Sequence, residues 1–360
     1  MKIFEIIPNL ATGGGEKFVI DLSNTLADKG HDCTIVTLYN PSECDVLRCY
    51  VQSNVSTQSL NKRPGADFGC MFRIVRYIHK NRPDVVHAHL SAIMYLLFAA
   101  IFCRKIKFYA TIHSEAKNEA GVGLSKLIRK ILFKTGLVKA ITISKESEKS
   151  FEKFYGFSTT MISNGCSEYY INPQVINEYK SYRIGVDLLL IHVGRICKVK
   201  NQLMLIEAFE RILKQGVNAR LLIAGRIENK AIFGHIKTHL SDRIVYLGEC
   251  QDIRAIMSTT DAFCLSSIME GMPITIIEAW SVGCIPIVTP VGGCVNMVNN
   301  GINGFIAESC DVDSYTRSLM EFATTNATSR MNIKRNCISD YRNNYSISNT
   351  ANNYITLFEQ

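Results

Sequence analysis

The stretch Ala262-Phe-Cys-Leu-Ser-Ser267, followed closely by Glu270-Gly-Met-Pro-Ile-Thr-Ile-Ile-Glu278, decides how this chain is read. Residues 262–265 form an apolar run of strand length. Residues 274–282 carry apolar side chains at helical spacing, with Gly283 as a stop. The turn between them lies at the carboxyl end of the strand. Glu270 sits in that turn and Glu278 lies one turn or more into the helix. Both carboxylates therefore point to the crevice outside the strand ends of an α/β sheet, where ligands bind.

The same alternation extends outward in both directions. Strands are predicted at 3–7, 33–38, 84–89, 108–113 and 140–144, with helices near 17–29, 72–81 and 124–134. Gly30 suits the position after the first helix, and Asn81-Arg-Pro83 ends the second. The second half repeats the pattern, with strands at 188–193, 220–224, 244–247, 262–265 and 286–289. Its helices fall near 201–214, 253–259 and 274–282. Two such series predict an α/β fold of two Rossmann-like, doubly wound parallel-sheet domains facing a central cleft. The expected domains are 1–172 and 173–340, divided in a polar stretch that contains Pro173. Residues 341–360 hold a last helix, near 346–358, expected to pack back on the first domain.

A length of 360 residues suits about two domains, and 47% hydrophobic with 20% charged residues suits a folded chain. The net charge of +8 fits an anionic partner without choosing one. Thirteen cysteines is an odd count with no C-x-x-C pair, which argues against zinc and against a disulfide framework. A reducing cytoplasm is the compartment that fits. Residues 1–8 are too short and too interrupted, by Glu5 and Pro8, for a signal peptide. The longest apolar run, 90–103, falls short of the roughly 18 to 20 residues of a bilayer span and is expected as a buried helix. The expectation is a soluble chain, or one held only at a membrane surface.

Several residues have the chemistry to act. Gly13-Gly14-Gly15-Glu16 follows the first strand and opens the first helix, a place where backbone N–H groups turn toward an anion. A dinucleotide fingerprint is not met, because Phe18 replaces the third glycine and Leu38-Tyr39-Asn40 offers no acid. Gly194-Arg195 and Lys200 bracket the turn after the first strand of the second domain. A guanidinium and an ammonium there are able to grip a diphosphate from two sides. His113 ends a first-domain strand and is expected to face the cleft. His87 and His89 share one face of their strand, but no third metal ligand is evident. Asp311-Val-Asp313 precedes a helix and reads as a cap rather than a metal motif. Lys126, Arg129, Lys130 and Lys134 recur with helical spacing among apolar residues, a pattern shared by solvated helices and by helices that lie on anionic membranes.

Taken in order, these motifs resemble the retaining GT-B glycosyltransferases of the group 1, or family 4, type, over nearly the whole chain. The glycine-rich first loop, His113, Ser163-Asn164-Gly165, the Gly194-Arg195…Lys200 element and the Glu270…Glu278 pair all match. So do the late turns Val291-Gly292-Gly293 and Asn300-Gly-Ile-Asn-Gly304. The resemblance implies a nucleotide-diphosphate sugar as co-substrate, with no cofactor and no metal. Gly194, Arg195 and Lys200 would hold the diphosphate, Glu278 the ribose, and Glu270, Gly271 and Met272 the transferred sugar. His113 would contact that sugar, and Gly13, Gly14, Gly15 and Glu16 would border the acceptor. Arg195, Lys200, Glu270 and His113 form the implied catalytic set. Where relatives carry Gly-Phe-Gly, this chain has Gly271-Met272-Pro273, and Pro273 removes a backbone donor.

The resemblance further implies retention, by front-face displacement or with Glu270 as nucleophile. The acceptor is expected to be a glycan or polyprenyl-linked glycan of a bacterial surface polysaccharide, met on the inner face of the plasma membrane and without nucleic acid. A nucleotide-sugar epimerase, an oxidoreductase and a non-catalytic sugar-nucleotide-binding protein are the competing readings. The oxidoreductase is disfavoured by the missing acid.

Overall fold

The structure is a computed structural model that describes residues 1–11, 13–43, 45–169, 173–250 and 252–360, with Val175 described by its backbone alone. The chain divides into two compact units, residues 1–167 with 346–360, and residues 168–345. The boundary expected at residue 172 lies outside the described residues. Residues 341–345, expected to begin the returning segment, form a π-helical turn that stays with the second unit.

The first unit contains a parallel sheet of β1 (Lys2–Ile7), β2 (Asp32–Thr37), β3 (Ser56–Ser59), β4 (Val85–His89), β5 (Lys107–Ile112), β6 (Lys139–Thr142) and β7 (Thr160–Met161). Their order is β3-β2-β1-β4-β5-β6-β7. The second sheet holds β8 (Leu188–Val193), β9 (Ala219–Ala224), β10 (Ile244–Gly248), β11 (Ala262–Leu265), β12 (Ile285–Val288) and β13 (Phe305–Ile306), in the order β10-β9-β8-β11-β12-β13. Every described pairing is parallel. In each sheet the winding reverses beside the first strand, between β1 and β4 and between β8 and β11. Each reversal places a crevice at the strand ends of its own sheet, the usual ligand position in such sheets.

Local chemistry explains the elements that frame these crevices. The helix Gly14–Asp28 begins directly after the β1 loop, and Gly30 closes it with φ of +88°. Pro273 precedes the helix Ile274–Ser281, where its fixed φ, here −71°, suits a helix start. That helix buries Trp280 completely, and the indole N–H donates to Asn303 O at 2.9 Å. The expected strands β1, β2, β4, β5, β6, β8, β9, β10, β11 and β12 all form. The short strands β3 and β7 escaped prediction because β3 is wholly polar, β7 spans only two residues, and both lie at the sheet edges, where no apolar pattern is required.

The last helix, Ile347–Glu359, belongs to the first unit. Its Tyr354 and Phe358 are fully buried, and Phe358 O accepts from Lys107 Nζ at 2.8 Å. The run 90–103 is not one buried helix. It splits into a 3-10 stretch, Leu90–Leu96, and a short α-helix, Leu97–Phe102, and it leaves Phe102 exposed. Leu90 sits at φ of +55°, a conformation that starts the tighter turn.

Candidate active site

In the second unit, the ends of β8 and β11 bring one cation and one carboxylate together. Residues 194–201 leave β8 and lead through a 3-10 turn, Lys198–Lys200, to the helix Gln202–Lys214. Lys200 Nζ lies 2.5 Å from Glu270 Oε1, with side chains only 16% and 12% exposed. Ser267 Oγ donates to the same oxygen at 2.6 Å. Ser266 Oγ donates to Lys200 O at 2.8 Å, which ties the two loops together. A lysine ammonium has three donors, so this arrangement leaves capacity for an anion.

Arg195 goes elsewhere in this form. Its guanidinium pairs with Glu228, with the side chains 49% and 43% exposed. The structure therefore joins Lys200 to Glu270 directly but does not pair Arg195 with either glutamate of the Glu270…Glu278 motif. Glu278 lies on the second turn of the helix Ile274–Ser281 and is half-buried. Met272 is buried, and Gly271 O accepts from Gly293 N at 2.7 Å.

Two glycines make the close approaches possible. A Cβ on Gly292, at φ of +51°, would overlap Glu270 O, and one on Gly225, at φ of +145°, would overlap Gly194 O. The backbones of the 270 and 194 loops thus rest on side-chain-free turns. Gly225 was not singled out from the sequence, although a glycine directly after a predicted strand was a usable signal. Gln202 was also missed. Its amide donates to Arg195 O at 2.8 Å and approaches His192 Nε2 at 3.2 Å, while His192 Nδ1 donates to Cys264 O at 2.9 Å. Burial holds the His192 pKa down, at about 4, so the ring is neutral. The thiols of Cys264 and Cys284 are pushed up by burial and are inert near neutral pH.

In the first unit, the ends of β1, β4 and β5 gather a second group. His113 follows β5 and is half-buried. Its ring lies beside Gly15, with a Cβ at that glycine 3.8 Å from His113 Cγ. Glu16 folds its carboxylate back over Gly13. Glu119 Oε2 accepts from the backbone N–H of His113 at 2.8 Å and of Ser114 at 3.1 Å. Burial raises the Glu119 pKa, with Arg129 opposing. Arg129 is itself buried, donates to Leu90 O at 2.5 Å and lies 3.6 Å from Glu119 Oε1. It therefore leaves the basic face expected of residues 126–134, while Lys126, Lys130 and Lys134 remain exposed.

Behind His113, Glu5, His87 and His89 lie fully buried with candidate ligand atoms within 4.8 Å of one another. Glu5 is the third group the sequence did not reveal, because only the β1–β4 register sets it against His87. His89 Nε2 stands 2.7 Å from Glu5 Oε2, and His113 Nε2 stands 2.9 Å from His89 Nδ1. His87 Nδ1 is 2.9 Å from the same Glu5 oxygen but poorly aligned with it. Two donors on a tetrahedral ion at about 2.0 Å would stand roughly 3.3 Å apart. The observed spacing fits shared protons better than a shared ion.

Asp311 accepts from Ser314 N at 2.8 Å, the capping role expected of it. Asp313 pairs with Arg211. Asn164 is buried, and a Cβ on Gly165 would press on Thr350 Oγ1 at 2.6 Å, so this Asn-Gly step seats the returning helix.

Comparison with known proteins agrees with this architecture. The family model for Glycosyltransferase Family 4 matches residues 12–168, and that for Glycosyl transferases group 1 matches residues 178–339. N-acetyl-alpha-D-glucosaminyl L-malate synthase of Bacillus anthracis is 24% identical, covering 84% of this chain and 82% of its own. The UDP-Gal:alpha-D-GlcNAc-diphosphoundecaprenol alpha-1,3-galactosyltransferase of Escherichia coli is 25% identical, covering 96% and 89%. The structure of Anabaena HepE in complex with UDP superposes with a TM-score of 0.85 at 17% identity, covering 100% of both chains. With one family model on each unit and the same fold throughout, this chain belongs to the group 1, family 4 glycosyltransferases of GT-B fold.

Proposed function

We propose that the protein is a retaining, hexosyl-type transferase that moves a sugar from a nucleoside-diphosphate sugar to a glycan or polyprenyl-linked glycan, in the assembly of a bacterial surface polysaccharide. The observation that carries this reading is the 2.5 Å Lys200–Glu270 contact at the reversal of the second sheet. A cation suited to a diphosphate beside a carboxylate suited to sugar hydroxyls supports this reading. The names of relatives support the substrate class, since one uses UDP-Gal with a diphosphoundecaprenol acceptor and another extends a diphosphoundecaprenol-linked glycan. HepE has been seen with UDP and with UDP-glucose, which favours a uridine nucleotide.

In this scheme the acceptor hydroxyl oxygen attacks the anomeric carbon on the face that the diphosphate leaves. The carbon–oxygen bond to phosphate breaks, and the acceptor's proton passes to the departing phosphate oxygen. Nucleoside diphosphate and a glycoside of unchanged configuration result. Lys200 and Arg195 stabilise the charge that grows on the diphosphate. Glu278 holds the ribose, and Glu270 with the Gly271 and Met272 backbone holds the sugar. His113 supplies a further hydrogen bond to the sugar, and the 13–16 loop serves the acceptor. No resident metal or cofactor is required. Glu270 Oε1 already accepts from both Lys200 and Ser267, which blunts it as a nucleophile and favours front-face transfer.

Thermal shift and transfer assays with UDP-, GDP- and ADP-sugars test the reading. A donor at about 100 times its dissociation constant should add roughly 2.7 kcal/mol. A melting point unmoved by every donor, with no transfer to polyprenyl-diphosphate sugars, would refute it. A glycosyl adduct on Glu270 in mass spectra would replace the front-face route with double displacement.

The membrane partner is read from the helix Leu124–Lys134. Leu124, Leu127 and Ile131 are exposed on it, Val122 precedes it, and Lys126, Lys130 and Lys134 flank the apolar stripe. Among the described residues no helix is long and apolar enough to cross a bilayer. We assign this helix to the surface of an anionic, cytoplasmic leaflet. Cosedimentation with vesicles rich in anionic lipid should fall severalfold in Leu127→Glu, and an unchanged pellet would reject the assignment.

A further inference from the structure

We propose that Glu5 and His89 are positioning residues of the transfer reaction: they hold neutral His113 as the Nε2–H tautomer, so that its outward Nδ1 accepts a hydrogen bond from a hydroxyl of the transferred sugar. The inference rests on the transferase reading and adds a direction to the His113 contact.

Strand register builds the chain of contacts. β1 and β4 pair Glu5 with His87, and β4 and β5 pair His89 with Thr111, two residues before His113. Residues 87 and 89 share one sheet face, and so do residues 111 and 113. The result is a line from a buried carboxylate through one imidazole to another, with 2.7 Å between Glu5 Oε2 and His89 Nε2 and 2.9 Å between His89 Nδ1 and His113 Nε2.

Proton accounting along this line has one consistent answer. An ionised carboxylate has no proton to give, so His89 Nε2 must carry the hydrogen that faces it. A neutral imidazole has one N–H, which leaves His89 Nδ1 bare. His113 Nε2 must then donate to that nitrogen, and His113 Nδ1 keeps a free lone pair. Among the described residues Nδ1 takes no hydrogen-bond partner.

The ionisation states agree with this assignment. Burial would raise the Glu5 pKa, but the neighbouring imidazoles outweigh it and hold it down, at about 2. Burial and the charge of His87 hold His89 down to about 4, with Glu5 opposing. His113 lies well below the usual histidine range, chiefly through burial. Phe18 closes the line on one side, with ring centroids 6.3 Å from His89 and 5.8 Å from His113. A second branch, Tyr354 OH to Thr111 Oγ1 at 2.9 Å and Thr111 Oγ1 to His87 Nε2 at 2.7 Å, approaches the same carboxylate. Only the His89 branch makes an aligned hydrogen bond to that carboxylate, so Glu5 sets the proton direction along the His89–His113 line.

The test reads the tautomer first. Long-range proton–nitrogen NMR of the full chain with labelled histidine, assigned by the His113→Asn difference, should show a bare nitrogen at Nδ1 and N–H at Nε2. The opposite pattern would overturn the proposal. Glu5→Met removes the acceptor and should invert or mix the pattern, with kcat for donor transfer down about tenfold or more and donor KM changed less. Glu5→Gln keeps an acceptor oxygen in place and should restore the tautomer and return kcat to within about threefold. Tyr354→Phe touches only the other branch and should transfer normally. A folded Glu5→Met with wild-type kcat would defeat the idea even if the tautomer were as assigned. The wild-type spectrum needs no substrate, and His113→Asn serves only to assign it. An inactive wild-type protein would thus sink the transferase reading, while an active one with its proton on His113 Nδ1 would sink this inference alone.

Discussion

Lys200 and Glu270 are nearly buried, and that makes each the other's solvent. Removing one partner of such a pair leaves a charge without compensation, whereas removing both leaves none. Lys200→Met should therefore lower stability by about 2 kcal/mol in urea unfolding, and Lys200→Met with Glu270→Gln should recover part of that loss. Transfer should stay at least about a hundredfold down in both, because the proposed diphosphate contact has lost its ammonium in each. A double variant no more stable than Lys200→Met would mean that the two side chains are not coupled. Arg195 predicts the opposite balance. Its pairing with Glu228 is about half exposed, and exposed ion pairs contribute roughly 0–1 kcal/mol. Arg195→Ala should slow transfer strongly with a melting point almost unmoved, and equal losses of both would make this arginine structural.

Loops resting on glycine turns hold the second-unit site. Gly292→Ala must relieve both a positive φ and an overlap with Glu270 O, so the 270–273 turn has to shift. A stability loss of about 2 kcal/mol or more is expected, together with weaker nucleotide-sugar binding by calorimetry. Wild-type values for both would show that the turn yields freely. The same element explains what a reader of the sequence is able to recover. The strand–turn–helix around Glu270 was legible because apolar periodicity, Pro273 and Gly283 all mark it locally. The helix Ala327–Asp340 was not, since it buries little beyond Ile333 and Cys337 and has no clear apolar stripe. Lys200 against Glu270 was expected as a cluster from two loops at adjacent strand ends. Glu5 against His87 and His89 was invisible, because a lone acid in an apolar strand acquires meaning only through register with a strand some eighty residues later. Arg129 deceived for the same reason: helical spacing groups it with Lys126 and Lys130, and only tertiary packing turns it inward toward Glu119.

Across the whole molecule, each unit keeps at least one fully buried histidine neutral, and this fixes how the protein responds to acid. His89 in the first unit and His192 in the second are both held down to about 4 by burial, against 6.5 for an unperturbed ring. Their depressed values mean that the unfolded chain binds protons which the folded chain refuses. Stability is therefore fully present above about pH 6.5 and is lost as pH falls toward 4. Each ring accounts for about 3 kcal/mol at most over that window. Glu5 adds a later loss. Its carboxylate is held at about 2 against 4.5, so its contribution is present above pH 4.5 and disappears as pH falls toward 2. The single tryptophan, Trp280, is buried in the second unit and separates the two responses. Urea unfolding followed by Trp280 fluorescence should weaken between pH 6.5 and 4 in the wild-type protein. In His192→Gln that pH dependence should largely vanish from the fluorescence transition, while far-ultraviolet circular dichroism still records the acid sensitivity of the first unit. An undiminished slope in the variant's fluorescence would mean that His192 is not what makes the second unit acid-sensitive, and that its burial is relieved before the unit unfolds.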